Sequence, residues 1–229
     1  MLQAEQIVEK ERPVRRNRAQ LRAVRTHGKL LNAALLMFAE KGMDAITVED
    51  ITERADLGKG TFYRHFNTKE ELMGALVQKA VDSLVAELHK AAGEATDLKT
   101  VLGKLLEAHR NFFNTRREEF ILLFQGRMML KLQRDKEEDF GKPLVAYLGE
   151  MEKILAPFVP GELNLKKLRG LACALAGFVS GSLAFAMIGL GKDEIESSMA
   201  PMGMIFIEGA SAFLSETEKS ALADKSAKA

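Results

Sequence analysis

Apolar residues in this chain recur at i, i+3 and i+4 almost from end to end. Nowhere do apolar and polar residues alternate between turn signals, as they would along a half-buried strand. That pattern restricts the fold to packed helices, so the fold class expected is all-α. With 229 residues, 47% of them hydrophobic, the chain can bury a substantial core in one large domain or two unequal ones. Helices are expected from Arg18 to Lys41, from Thr47 to the turn Asp56-Leu57-Gly58, and from Lys59 to Phe66. Longer ones follow at about 69–92, 97–114, 116–135, 139–156, 163–190 and 194–214.

The stretch ADLGKGTFYRHFNTKEEL, Ala55 to Leu72, carries the densest mixture of chemistry. Just upstream, Thr47 with Asp50 three residues on is a capping-box pattern, and Val48, Ile51 and Ala55 fall on one face of the helix it opens. Asn67 or Thr68 caps the next long helix, with Glu70 and Glu71 in its first turn, where the helix dipole favours negative charge. Phe62 and Phe66, four apart, point together into a small core. Lys59, Gly60, Thr61, Tyr63, Arg64 and His65 are then left facing outward. Two short helices joined by a tight turn in this way form a helix-turn-helix, whose second helix can enter a DNA major groove. The same geometry also occurs as a plain packing unit; the coincidence of caps, buried phenylalanines and outward polar residues in one short window, with a basic segment ahead of it, favours DNA binding. Lys10, Arg12, Arg15, Arg16, Arg18, Arg22, Arg25 and Lys29 are opposed in their span only by Glu11, although the whole chain carries a net charge of just +1. Arg25 and Lys29 are expected to approach phosphates, and Arg15, Arg16 and Arg18 to run along the backbone or into the minor groove.

The run LLNAALLMFAEKGMDAITVEDITERADLGKGTFYRHFNTKEEL, Leu30 to Leu72, resembles the DNA-binding segment of the tetracycline-repressor (TetR) family of transcriptional regulators. The resemblance is carried by Ala33-Ala34, Phe38, Gly42, Thr47-Val48, Ile51, Ala55, Gly60-Thr61-Phe62-Tyr63, Phe66 and the Lys69 to Leu72 ending. It implies a homodimer on a palindromic double-stranded DNA operator, released when a small molecule enters a cavity in the C-terminal domain. It also implies DNA contacts from Thr47, from Lys59, Gly60, Thr61, Tyr63, Arg64 and His65, and from Lys69. Asp56 departs from the family, which usually has glycine in the turn. Aspartate tolerates a left-handed backbone better than most residues, so the turn is expected to survive. The organisation expected is a flexible basic arm at 1–17, a helix-turn-helix domain at 18–74, a helical effector-binding and dimerisation domain at 75–215, and a frayed tail at 216–229.

Between Arg169 and Lys192 no residue is charged, and this stretch is long enough to cross a bilayer at about 1.5 Å per residue. Its many Gly, Ala and Ser residues insert weakly, which favours a buried helix and no membrane partner. Gly170, Ala174, Gly177, Gly181, Ala184 and Ile188 form a narrow stripe of mainly small side chains, beside a bulkier one of Leu171, Leu175, Phe178, Ser182 and Phe185. Met202, Phe206, Gly209 and Phe213 make a third on the last helix. The resemblance implies that these last two helices pair with their copies, placing Gly170, Ala174, Gly177, Gly181, Met202, Phe206 and Phe213 at a dimer interface; an intrachain core is the alternative, and the two can hold on different faces. Candidates to line an effector cavity are Phe113, Phe124, Met128, Tyr147 and Phe178, with Phe112, Phe120 and Met129 beside them. His109, Gln125 or Arg110 are candidate polar anchors. Such a lining suits a small hydrophobic effector.

Enzymatic readings find no footing. Gly58-Lys59-Gly60-Thr61 lacks the glycine spacing and the Gly-Lys-Ser/Thr order of a phosphate loop. His27, His65, His89 and His109 form no i, i+4 metal pair, and no serine or cysteine nucleophile sits in a recognisable setting. No cofactor, metal or catalytic residue is therefore expected. The lone Cys173 excludes an internal disulfide, and the charged start MLQAEQIVEKERP is unlike a signal peptide, so the location expected is cytoplasmic. The function expected is a ligand-responsive, DNA-binding transcriptional regulator, a repressor in the first instance. The alternatives are a constitutive DNA-binding protein without effector and a membrane-attached helical protein.

Overall fold

The computed structural model describes the backbone at residues 2–129, 138–159, 165–189 and 201–214, and the side chains at 18–123, 141–159, 167–185 and 201–214. Every regular element among the described residues is helical. In chain order these are α1 (Leu2–Lys41), α2 (Val48–Arg54), α3 (Lys59–Phe62), α4 (Lys69–Ala92), α5 (Leu98–Thr115), α6 (Arg117–Met129), α7 (Glu138–Leu155), α8 (Leu165–Gly189) and α9 (Pro201–Leu214), with a 3-10 turn at Ala156–Phe158. The chain forms two compact units, Met1–Leu76 and Val77–Ala229, and the division falls within α4.

In the first unit α1 and α2 pack together and α2 packs on α3, around Leu30, Ala34, Phe38, Ile46, Ile51, Phe62 and Leu72, all essentially buried. The helix ends follow from the residues at them. Gly42, at φ 78, adopts the left-handed turn that closes α1, and its N–H donates to the Phe38 carbonyl at 3.0 Å. Thr47 caps α2 through a complete capping box. Its Oγ1 accepts the Asp50 N–H at 3.2 Å, while the Asp50 carboxylate accepts the Thr47 N–H at 2.8 Å and hydroxyl at 2.6 Å. These bonds, the hydroxyl's first, hold the Asp50 carboxyl below its usual range. Of the two candidates at α4, Thr68 is the cap: its Oγ1 accepts the Glu71 N–H at 3.0 Å, and Glu71 in turn holds Asn67.

Two expectations about this unit need correcting. Helical backbone begins at Leu2, not Arg18, so the segment expected as a flexible arm is drawn as part of α1. Leu, Gln, Glu, Lys and Arg, all good helix formers, make up most of it, and Pro13 interrupts the donor ladder without ending the helix. The recognition helix is shorter than Lys59–Phe66: α-helical geometry ends at Phe62, and turns carry the chain through His65.

In the second unit α5 packs on α6 and α8, α7 on α8, and α6 on α7. Val101, Leu102, Leu105, Phe112, Leu122, Met151, Leu155, Ala172, Leu175 and Leu183 form the centre of its core. Asp97 caps α5 by accepting the Thr100 N–H at 2.9 Å. The Lys99 ammonium ties α5 to α9 through the Glu208 carboxylate at 2.7 and 2.8 Å. Among the described residues of α8, the buried face is that of Leu171, Ala172, Leu175, Ala176, Val179, Leu183 and Ala184. Lys167–Phe185 is long and apolar enough to cross a membrane, yet its bulkiest face packs inside the unit. Within the bulky stripe expected on α8, Phe178 stacks on Phe206 at 5.0 Å, whereas Phe185 is 75% exposed. Phe185 sits near the helix end, one position past the buried Leu183–Ala184 pair, and so turns away from the core.

Candidate nucleic-acid interface

Periodicity brings the basic side chains of α1 to one face of that helix. Arg18, Arg22, Arg25 and Lys29 follow 4-3-4 spacing and are all exposed, a stripe along α1 roughly 16 Å long at 1.5 Å per residue. The opposite face of α1 buries Leu30, Ala33, Ala34, Met37 and Phe38. His27 joins the helix to the reading head: its ring stacks on Phe66 at 4.9 Å and meets the His65 ring edge-on at 5.8 Å.

Phe62, fully buried, fixes α3, with Phe66 at 5.8 Å centroid separation behind it. Tyr63, the next residue, sets its ring edge-on to Phe62 at 5.4 Å and stays 52% exposed. Gly60 is exposed, and a Cβ there would meet nothing within 4 Å, so the backbone is open to an approaching surface. Arg64, exposed, donates to the Thr61 Oγ1 at 3.0 Å. Asp56, at φ 54, is the one non-glycine residue with positive φ among the described residues, so the turn does take the left-handed form that aspartate was expected to tolerate.

Three of the sequence-derived positions are already engaged. Lys59 forms an exposed ion pair with Glu49 of α2, which raises the ammonium pKa and lowers that of the carboxyl, in each case chiefly through the hydrogen bond between them. Such a pair adds little stability in water and is readily exchanged for another anion. The Thr47 hydroxyl closes its own cap. Lys69 departs most from expectation. Its ammonium turns inward and donates to the carbonyls of Met43 at 2.9 Å and Ile46 at 2.8 Å, pinning the α1–α2 loop to the start of α4. Those carbonyls leave the helical ladder at the Gly42 turn, and a cation satisfies both at once. His65 is half-buried; burial, then His27, then Arg64 lower its pKa, so the imidazole reaches the surface as a neutral donor.

The second unit encloses a cavity of about 70 Å³. Its apolar wall comes from Val81, Leu84, Phe120, Leu123, Leu144 and Val179, and its polar corner from His109, Tyr147 and Ser180. His109 is fully buried, its Nδ1 2.6 Å from the Leu105 carbonyl and its Nε2 2.7 Å from the Tyr147 hydroxyl. Burial pushes the imidazole down to about 4, against the smaller upward pull of the bond to Leu105. The effector candidates therefore divide. His109 and Tyr147, with Phe120, line this cavity, whereas Phe113 packs behind it against Phe120 at 5.1 Å. Phe178 and Arg110 instead line a more open hollow of about 300 Å³ among α5, α8 and α9. The side chains of Phe124 and Met128 lie outside the described residues. Sequence reasoning missed Ser180 and the leucines of α7, which a helical-wheel reading of α7 and α8 around Tyr147 would have grouped.

The residues expected at a dimer interface are largely uncovered. Gly170, Ala174 and Gly177 are exposed, Gly181 and Phe206 half-buried, and Met202 and Phe213 exposed at 43% and 59%. A Cβ added at Gly170, Gly177 or Gly181 would meet nothing within 4 Å. The two readings fall on different faces: Phe206 stacks on Phe178 within the chain, while the glycine face of α8 is uncovered among the described residues.

Comparison with known proteins places this geometry. Residues 30–76 match the family described as bacterial regulatory proteins, tetR family. The chain is similar to the HTH-type transcriptional activator FasR of Mycolicibacterium smegmatis, 35% identical over 99 residues, 43% of this chain and 45% of FasR. It is also similar to the HTH-type transcriptional repressor KstR2 of Mycobacterium tuberculosis, 44% identical over 59 residues, 26% of this chain and 30% of KstR2. The matched stretch thus spans less than half of either relative. Over a wider span the fold is that of the regulator FadR of Bacillus subtilis, solved in complex with stearoyl-CoA, with a TM-score of 0.65 and 17% identity over 80% of this chain and 96% of that one. Residues 30–76 thus form a helix-turn-helix domain of the tetR family of bacterial regulatory proteins, and the chain as a whole shares the fold of the solved regulators it resembles.

Proposed function

We propose that this chain binds a palindromic operator as a homodimer in the cytoplasm, represses from it, and is released when a small hydrophobic molecule enters the second unit. The observation that carries the reading is the surface of the first unit: a four-residue helix locked by buried Phe62, presenting Gly60, Thr61, Tyr63 and Arg64 outward, with the basic stripe of α1 in the same unit. Arg25 and Lys29 meet phosphates. Lys59, exchanged from Glu49, and Thr61 reach toward base edges, while Tyr63, Arg64 and neutral His65 donate to the backbone. Lys69 positions the α1–α2 loop instead of reaching DNA.

Dimerisation is supported by the uncovered small-residue face of α8 and by Met202 and Phe213 of α9. The apolar cavity supports a hydrophobic effector, in keeping with the FadR neighbour's stearoyl-CoA. Repression is the simplest coupling, although FasR is named as an activator and KstR2 as a repressor.

Tyr63→Ala tests the interface. Fluorescence anisotropy on a duplex recovered by selection should show operator affinity weakened about tenfold, the scale of one lost hydrogen bond of about 1.4 kcal/mol. Thermal stability should move by less than about 0.5 kcal/mol, as at other exposed positions. A large loss of stability with unchanged affinity per folded molecule would place the ring in the core and contradict the assignment.

A further inference from the structure

Glu49 puts a carboxylate beside the recognition helix, where a phosphate backbone would repel it. It stands in the first turn of α2, its side chain 57% exposed, and its Oε1 pairs with the ammonium of Lys59 at the start of α3, itself 54% exposed. Both backbones are held in place. The capping box of Thr47, with buried Ile51 and Thr52, fixes α2, and buried Phe62, one turn on from Lys59, fixes α3. The hydrogen bond between the two side chains lowers the Glu49 pKa and raises that of Lys59, so both are ionised at neutral pH. The same unit has another exposed pair, Arg54 with Glu40 at 3.1 and 3.2 Å, which ties α2 back to α1. The Glu49–Lys59 pair differs in its place: it adjoins the exposed Gly60 and the outward Thr61 of the reading head.

We infer that Glu49 determines base specificity together with Lys59, the two reading one G·C base pair of the operator: the ammonium donates to guanine O6 and N7, and the carboxylate accepts from the cytosine amino group. This rests on the proposed DNA-binding role of the first unit and narrows it to a base pair. In the major groove a G·C pair presents two adjacent acceptors and then a donor. An ammonium in contact with a carboxylate presents donors and then an acceptor, the complementary order. An A·T pair presents acceptor, donor, acceptor and a methyl group, so a carboxylate on the adenine amino group leaves one acceptor unpaired beside its negative charge. Against a phosphate, the ammonium gains a partner only by giving up Glu49, and the freed carboxylate meets repulsion. On G·C both charges keep a partner. The pair therefore contributes little on random sequence and most at the matching base pair.

The test is selection of bound duplexes by the full-length protein and by its Glu49→Ala, Lys59→Ala and Glu40→Ala variants, followed by fluorescence anisotropy on the recovered operator with single base pairs exchanged. The unaltered protein should recover a half-site with a G·C pair at which A·T costs about tenfold in affinity, the scale of one mismatched base pair. Glu49→Ala and Lys59→Ala should both cut that penalty to about threefold or less at the same base pair, leaving the penalties elsewhere in the half-site in place. Glu40→Ala, which removes the other exposed pair, should leave all of them unchanged. A carboxylate that served only the first turn of α2 would show instead as a lower melting temperature with base preferences unmoved. That result, a half-site without such a G·C pair, relaxation at two different base pairs, or a uniform gain in affinity for every sequence in Glu49→Ala would overturn the inference. Recovery of no common sequence by the unaltered protein would sink the DNA-reading role itself. A common sequence read identically by Glu49→Ala would sink the base-pair assignment and leave that role standing.

Discussion

At the scale of single residues, two side chains carry conformational or protonation costs that can be measured. Asp56 sits at φ 54 in the turn that sets α3 against α2. A β-branched residue resists that region most, so Asp56→Val should lower stability by about 1–2 kcal/mol and Asp56→Gly should hold or raise it. Urea denaturation of the two variants decides this; equal stability would mean the turn rearranges. His109 is the second. Its pKa is about 4 in the folded chain against 6.5 ordinarily, so the unfolded chain takes up the proton first as pH falls. The associated stability is complete above about pH 6.5 and is lost progressively down to about pH 4, a total of roughly 3 kcal/mol. His109→Gln should flatten that limb when denaturation is compared at about pH 7 and about pH 4.5. An unchanged slope would assign the acid sensitivity to other groups.

At the scale of elements, the small-residue face of α8 separates two readings of the same sequence. Gly177 is exposed, and among the described residues no other element lies within 4 Å of where its Cβ would stand. Gly177→Leu should therefore leave the folded subunit intact while weakening self-association at least tenfold, a change of about 1.4 kcal/mol, read by sedimentation equilibrium. Unaltered association would move the interface elsewhere. What could be read in advance at this scale depended on how local the cause was. Caps were legible because each is decided within four residues: Thr47 with Asp50 and Gly42 after Lys41 outright, and the α4 cap to within two residues, Asn67 or Thr68. Phe62 and Phe66 were legible because their spacing alone sends them to one side. The inward turn of Lys69 was not, since its acceptors lie at Met43 and Ile46, far away in sequence. Nor was the split of the aromatic candidates: Phe120 and Phe178 look alike in sequence, and only helix packing sends one to the cavity and the other to the hollow beside α9. The helical start at Leu2 was not legible either, because Pro13 and the dense charge around it point to a tail.

At the scale of the whole molecule, the account requires two copies. One helix-turn-helix reads one half-site, and a two-fold dimer sets the reading heads about one DNA turn apart, roughly 34–36 Å, so its operator must be a palindrome. On the proposed reading, an effector that altered that spacing would cost one half-site its register, so that occupancy of the second unit would lower affinity for DNA. The net charge of +1 adds little to this, and the basic stripe on α1 supplies the electrostatic part. The measurement that bears on all of it is selection of bound fragments from a random DNA pool by the purified protein at two salt concentrations. The account predicts recovery of one palindromic sequence at both, with affinity falling steeply as salt rises. Recovery of no common sequence, with binding abolished at the higher salt, would contradict it.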